Sequence, residues 1–145
     1  MIPLIVLVIS FAVFRLTGFG VAYFSNWQHA LRAALGVMFL FTASAHWGRR
    51  RPDLVRMVPA AFGDGSKWVR ITGIAEGLIA LGLQVPRAAM PVAIAAATML
   101  VCIFPANLKA AREALTIGGR PVPGWKARLC IQIVFLAALA AAVWY

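Results

Sequence analysis

Four side chains have the types and positions that could support proton or ligand chemistry: Glu76, Arg15, His46 and Asn107. Glu76 stands in the apolar stretch GIAEGLIALGL, residues 73–83, and is one of only four acidic residues among 145. A carboxyl group in such a stretch usually faces the protein interior, where it finds a partner. Enclosed in an apolar cavity, it is typical of a proton-accepting or ligand-orienting group.

Arg15 is the predicted partner of Glu76. The two residues lie in apolar segments that run in opposite directions, each about nine residues from the predicted outer end of its segment, Phe24 or Val85. At 1.5 Å per residue, both side chains are expected roughly 14 Å from the same boundary. Two interpretations remain open: an internal clasp that fixes helix register, and a functional carboxylate positioned by Arg15.

Small residues share the helix face of Glu76. Gly73, Glu76, Gly77 and Ala80 follow the spacing i, i+3, i+4, i+7, and the two glycines form a GxxxG pair. Such a pair lets another helix approach closely. The spacing predicts that Glu76 points into a helix bundle.

His46 and Asn107 are predicted near the other end of the bundle. Thr42 lies one turn before His46, so that hydroxyl and imidazole share a face, and Asn107 follows in FPAN. Together with nearby arginines they are expected to line a polar mouth. The alternative for His46 is an interfacial residue in contact with lipid headgroups; a proton-transfer role also stays open, because histidine titrates near neutral pH.

The composition predicts an integral membrane protein with an all-α fold. The chain is 63% hydrophobic and only 12% charged, whereas a soluble domain is usually about 45–50% apolar. A single domain over residues 1–145 is expected. Spans need about 20 mostly apolar residues, which predicts five transmembrane helices: Ile2–Phe24, His29–Trp47, Lys67–Val85, Arg87–Phe104 and Trp125–Tyr145.

Three local features refine this prediction. The first span is expected to be a retained helix rather than a signal peptide, because it lacks a basic leading region. Ser66 is the predicted N-cap of the third helix. Pro105 should end or kink the fourth helix, and ANLKAAREAL after it should form a short helix on the membrane surface.

Basic residues orient the predicted helices. The net charge of +10 is concentrated in two connections, and such loops are cytoplasmic in membrane proteins. The N-terminus is therefore predicted to be cytoplasmic, in a bacterial cytoplasmic membrane, with anionic lipids as partners. The basic residues are Arg49, Arg50, Arg51, Arg56, Lys67 and Arg70 in one connection, and Lys109, Arg112, Arg120, Lys126 and Arg128 in the other.

Several other chemistries are not predicted. Cys102 and Cys130 lie in apolar runs outside any metal-spacing motif, and His29 and His46 are expected on opposite membrane sides. No metal site, encoded cofactor or nucleic-acid partner is therefore expected, and the excess positive charge is attributed to membrane orientation. No residue is assigned a catalytic role.

Four motifs in order, LRAALGVMFLFTASAHW, MVPAAF, GIAEGLIALGLQVPR and FPANLKAA, resemble the DoxX-like family of small membrane proteins. The resemblance covers most of residues 29–115 and implies a four-helix core, to which this chain adds an N-terminal helix. It maps the family's carboxylate, histidine and asparagine onto Glu76, His46 and Asn107. Some relatives are subunits of thiosulfate:quinone oxidoreductases, and others belong to oxidative-stress complexes. The cysteine pairs of redox-active relatives are missing here, which argues against intrinsic thiol chemistry.

Three functions follow as expectations. The first is a small membrane subunit of a redox or oxidative-stress system, which binds a quinone or another apolar molecule between helices near Glu76 and receives electrons from a partner oxidoreductase subunit. The second is a non-catalytic scaffold that recruits cytoplasmic proteins through the basic loops. A solute transporter ranks last, since no convincing inverted repeat is found. A homo-oligomer stays open.

Overall fold

Polar and turn-forming residues divide the chain into five longer helices in the computed structural model, which describes residues 2–144. Two short helices, one turn of 3-10 helix and a two-residue hairpin connect them. The elements are α1 (Ile2–Thr17), α2 (Ala22–Ser25), α3 (Trp27–Ala45), α4 (Arg51–Met57), the 3-10 turn (Ala60–Phe62), α5 (Gly65–Gly82), α6 (Ala89–Arg112), β1 (Thr116–Ile117), β2 (Arg120–Pro121) and α7 (Trp125–Val143).

Helices α3, α5, α6 and α7 form a closed ring in chain order, because each packs on the next and α7 returns to α3. Helix α1 packs on α3 from outside the ring. The core between them is apolar and contains fully buried side chains such as Leu35, Phe39, Leu83 and Leu139. The predicted all-α helix bundle is therefore confirmed.

Close backbone approach fixes the register of α3 against α5. A Cβ atom added at Gly36 would lie 3.1 Å from the carbonyl oxygen of Ala80, and one at Gly73 would lie 2.6 Å from Cβ of His46. The middle of α3 therefore faces the end of α5, and the two helices run antiparallel. This register brings the end of α3 to the middle of α5.

The two basic connections meet at one end of the bundle. Lys109 Nζ donates hydrogen bonds to the carbonyl oxygens of Arg56 at 2.7 Å and Val58 at 3.1 Å. The carboxylate of Asp53 accepts from the backbone N–H of Gly118 at 2.8 Å and from Arg56. Helix α4 and the β1–β2 hairpin are thereby held together, although they are far apart in the sequence.

Two helices end many residues away from their predicted ends. Helix α1 stops at Thr17 instead of Phe24, and at Gly18 the chain turns so closely that an added Cβ would lie 2.6 Å from the carbonyl oxygen of Phe24. Helix α6 continues through Pro105 to Arg112, so the separate surface helix predicted after Pro105 is wrong. Proline removes one backbone donor, and here the helix continues past that loss.

The predicted N-cap of the third helix is also corrected. The carboxylate of Asp64, not the hydroxyl of Ser66, accepts the backbone N–H groups of Ser66 and Lys67 at the start of α5. Aspartate and serine are similarly good N-caps. The sequence offered both within three residues, and the glycine at position 65 begins the helix between them.

Two helices of the described chain, Ala89–Arg112 and Trp125–Val143, are long and apolar enough to cross a membrane. In each, only 22% of the most apolar stretch is buried inside the protein. Helix α1 is similarly apolar but has only 16 residues. Helices α3 and α5 carry more polar side chains, such as Arg32, Arg70 and Glu76.

Replacing Asp53 with Asn should release the hairpin from α4. The hydrogen bond from Gly118, followed by that from Arg56, lowers the pKa of Asp53 below its usual value of 3.8. The docking should therefore be retained above that usual value and lost as the pH falls below it. Amide hydrogen exchange over residues 115–122 should accelerate in D53N, while the exposed-acid control E113Q should behave like wild type. Unchanged exchange in D53N would contradict this assignment.

Candidate functional site

Glu76 and His46 form a buried pair between α5 and α3. His46 Nδ1 lies 3.5 Å from Glu76 Oε2, and the two side chains are only 11% and 8% exposed. Oε2 has no hydrogen-bond partner among the described residues. Burying such an oxygen is costly unless a proton or a polar partner satisfies it.

Helix ends and a glycine position this pair. His46 is the C-cap residue of α3, and its Nδ1 lies 3.0 Å from the carbonyl oxygen of Thr42, one turn earlier. A carbonyl oxygen only accepts, so Nδ1 carries the hydrogen atom in this arrangement. Because Gly73 has no side chain, the imidazole can lie against α5 next to Glu76.

Thr42 completes the polar cluster. Its hydroxyl group lies next to the carboxyl group of Glu76 and donates to the carbonyl oxygen of Phe39 at 3.0 Å. The buried residues on α6 and α7 are apolar, and most of them are small, among them Ala96 and Ala142. The cluster can hold or pass a proton in surroundings that are otherwise apolar.

The predicted Arg15–Glu76 ion pair does not form. Arg15 is exposed, and its Nη1 donates to the carbonyl oxygens of Phe24 at 3.0 Å and Ser25 at 2.7 Å. The depth estimate assumed a helix as far as Phe24, whereas α1 ends at Thr17. Arg15 therefore lies two residues before the end of α1, and its hydrogen bonds hold the end of α2.

Asn107 joins two helices. Its side-chain oxygen accepts a hydrogen bond from Nη1 of Arg128, and Arg128 Nε also donates to the carbonyl oxygen of Pro123 at 3.3 Å. These contacts attach the start of α7 to α6. The polar mouth shared by Asn107 and His46 stays a prediction.

A second buried polar cluster, centred on Arg32, was not predicted from the sequence. Arg32 is 1% exposed, and its carbonyl oxygen accepts from Gln84 Nε2 at 3.0 Å. Gln28, one turn earlier, donates to the carbonyl oxygen of Trp144. The spacing of Gln28, Arg32 and Gly36 on one face of α3 could have revealed this cluster, because it continues the buried stripe of the helix.

Other candidate sites are few in the part of the chain that the structure describes. No group of three His, Cys, Asp or Glu side chains could hold a metal ion there, and Cys102 and Cys130 are exposed free thiols. Two depressions lie at the surface near α5 and α3, and Glu76 lines neither of them.

The comparison with protein families gives one match. The family described as a domain of unknown function, DUF8561, matches residues 35–144. The chain belongs to this family. The matched DUF8561 region contains both His46 and Glu76 but excludes Arg15 and the rest of α1. No curated protein and no solved structure matches the chain.

The DUF8561 match corrects the resemblance to the DoxX-like family, because no DoxX-like family matches the chain. The motifs that carried the resemblance are short and consist largely of small and apolar residues. Such residues recur wherever membrane helices approach closely, whatever the family. The residue roles that the resemblance implied are therefore judged from the geometry of this chain alone.

Replacing Gly73 with Ala should damage the site, whereas Gly77→Ala should not. The new Cβ at position 73 would lie 2.6 Å from Cβ of His46, but at position 77 it would meet open space. We expect G73A to lower the free energy of unfolding by about 1–3 kcal/mol. G77A should be neutral or stabilising by up to about 1 kcal/mol, since alanine favours the helix. Thermal unfolding in detergent, followed by circular dichroism, measures both; equal stability of the two variants would refute the close contact.

Proposed function

We propose that this protein is an integral membrane protein whose helix bundle binds a small apolar molecule at the Glu76–His46 pair. The exposed apolar surface supports the membrane part. Leu78, Leu81 and Ile94 are 65%, 64% and 60% exposed, and similar residues cover the outer faces of all five longer helices. Contiguous apolar surface of this kind is unfavourable in water and favourable against lipid tails.

In this proposal all five longer helices cross a bacterial cytoplasmic membrane. The two basic connections, joined through Lys109 and Asp53, lie at one end of the bundle, as the bias of basic residues towards the cytoplasm requires. The N-terminus then lies on the cytoplasmic side and the C-terminus on the outside. Helix α1 is shorter than a typical span, so Gly18–Ser25 would complete its crossing.

The buried carboxyl–imidazole pair is the observation that supports ligand binding. Together, Glu76 and His46 can hold a proton between two side chains that are almost wholly enclosed by apolar helices. A molecule with an apolar body and a carbonyl or hydroxyl group could take the place of a solvating water next to Oε2. Pockets for small ligands commonly combine apolar walls with a few such polar groups.

A quinone is the ligand class that best fits this chemistry. Reduction of a quinone to a quinol adds two electrons and two protons, and the pair could supply a proton to a carbonyl oxygen. The electrons would come from a partner oxidoreductase subunit. The protein would then serve as a small membrane subunit of a redox or oxidative-stress system.

A second candidate function is a membrane scaffold. Exposed basic side chains, among them Arg49, Arg50 and Arg112, are gathered at one end of the bundle, whereas Asp53 and Asp64 accept hydrogen bonds from within the chain. A positive surface of this kind attracts acidic protein partners.

Neutralising Arg49, Arg50 and Arg51 should then abolish co-purification of a cytoplasmic partner, and unchanged co-purification would exclude the scaffold.

The proposed topology predicts the behaviour of fusions to the C-terminus. Alkaline phosphatase, which is active only outside the cytoplasm, should be active there, and green fluorescent protein should stay dark. The same reporters inserted between Gly118 and Gly119 of the hairpin should give the reverse result. Phosphatase activity in the hairpin would contradict the orientation.

Replacing Glu76 with Gln should abolish quinone binding but leave the bundle folded. The amide keeps the shape of the side chain and removes its ability to exchange a proton. We expect the affinity for a water-soluble ubiquinone analogue to fall at least roughly tenfold, the scale of one lost charge-assisted hydrogen bond. Quenching of tryptophan fluorescence in detergent micelles measures binding, with thermal unfolding recorded in parallel.

Glu113→Gln is the matched control, because Glu113 is exposed at the end of α6 and far along the chain from the pair. E113Q should bind the analogue like wild type. Loss of folding in E76Q would favour a structural clasp, and unchanged binding by a folded E76Q would refute the ligand site.

A further inference from the structure

One face of α3 is left uncovered by the helices that pack on it. Val37, Leu40 and Ser44 follow the spacing i, i+3, i+7, and all three are exposed. Val37 and Leu40 are 39% and 50% exposed although α3 is the most enclosed helix of the bundle. We call this stripe, with Phe41 beside it, the α3 groove.

Two residues of the α3 groove, Phe41 and Ser44, also line a basic depression at the end of the helix. This depression has a volume of about 240 Å³, and Phe41, Ser44, Ala45, Gly48, Arg49 and Arg50 line it. An apolar track thus ends at two adjacent guanidinium groups. The track would lie at the depth of lipid tails, and the arginines at the depth of headgroups.

The two arginines are available for an anion. Neither Arg49 nor Arg50 forms an ion pair among the described residues, where the pairs are His46–Glu76 and Arg56–Asp53. The other acidic side chains are Asp64, which caps α5, and Glu113, the C-cap residue of α6.

The hairpin helps to position Arg50. A Cβ added at Gly118 would lie 3.4 Å from Arg50 Nε, and Gly118 has a φ of 58°, which favours glycine. The guanidinium-bearing side chain therefore lies against the hairpin backbone. The same glycine donates its N–H to Asp53, so this carboxylate is held by the hairpin and by Arg56.

We infer that this place binds an anionic phospholipid, with its phosphate group at Arg49 and Arg50 and one acyl chain along the α3 groove. Arginine suits phosphate because its planar fork can donate two parallel hydrogen bonds. The depression near α5 is a weaker candidate, because the carboxylate of Asp64 lines it and would repel a phosphate. The lipid site rests on the membrane assignment proposed above, but it does not depend on ligand binding at Glu76.

The test compares lipid retention by two double variants. Wild type, R49Q/R50Q and the control R112Q/R120Q are reconstituted in phosphatidylcholine vesicles with and without phosphatidylglycerol, extracted in mild detergent and examined by native mass spectrometry. Arg112 and Arg120 are exposed and belong to the other basic connection, so both variants lose the same charge. We expect R49Q/R50Q to retain phosphatidylglycerol at least roughly tenfold less, since each arginine near an anionic surface contributes about fivefold.

Three results would overturn the site. Equal losses in both double variants would mean diffuse attraction by net charge. Equally effective displacement of the lipid by soluble glycerol phosphate would mean that the groove holds no acyl chain. Binding of an acidic cytoplasmic protein at the arginines in place of lipid would favour the scaffold.

Two further experiments test the acyl-chain track and the membrane assignment separately. Leu40→Asn should weaken retention of the lipid but not the binding of glycerol phosphate, and retention like wild type would refute the acyl-chain track. Flotation of wild type with neutral vesicles tests the membrane assignment itself. A protein that does not float overturns both the membrane assignment and the lipid site. A protein that floats without retaining phosphatidylglycerol overturns only the lipid site.

Discussion

The burial of the Glu76 carboxyl group is the constraint on which the arrangement of this bundle depends. A carboxyl group on a residue that is only 6% exposed loses its water, and the protein must supply polar neighbours in return. The end of α3 supplies them as His46 and Thr42. They reach Glu76 only because Gly73 lets α3 and α5 come close. The register of these two helices therefore determines which polar groups surround Glu76.

Stability alone gives a poor explanation for such a pair. An apolar pair of similar volume commonly stabilises a protein as well as a buried ion pair does, or better. Removing a single partner is costly, because it leaves the other polar group unsatisfied. Ligand binding, as proposed above, would give such a pair a role beyond stability. The unsatisfied Oε2 atom points in the same direction.

The inward orientation of Glu76 could be predicted from the sequence, but its partner could not. The orientation follows from local spacing, since Gly73, Glu76 and Ala80 recur on one helix face and all three are buried. The partner depends on how far one helix is shifted along another, and any error in a helix end is carried directly into that shift. Gly18 ended α1 seven residues before the predicted end at Phe24, which moved Arg15 out of reach.

The helix bundle could be predicted from the sequence, whereas the family could not, and the same sequence features explain both results. Five apolar segments separated by turn residues nearly determine a helix bundle, and four of them close into a ring. That architecture is shared by many unrelated families, and the short small-residue motifs that suit it are shared as well. Those motifs therefore predicted the fold correctly and the family wrongly.

Helix α3 connects the two proposed sites. Its inner face carries Thr42 and His46 toward Glu76, while its outer face forms the groove that ends at Arg49 and Arg50. The imidazole at the end of α3 is separated from the first of these arginines by only two residues, Trp47 and Gly48. Because one helix end carries both, a change in the register of α3 against α5 would displace the two proposed sites together.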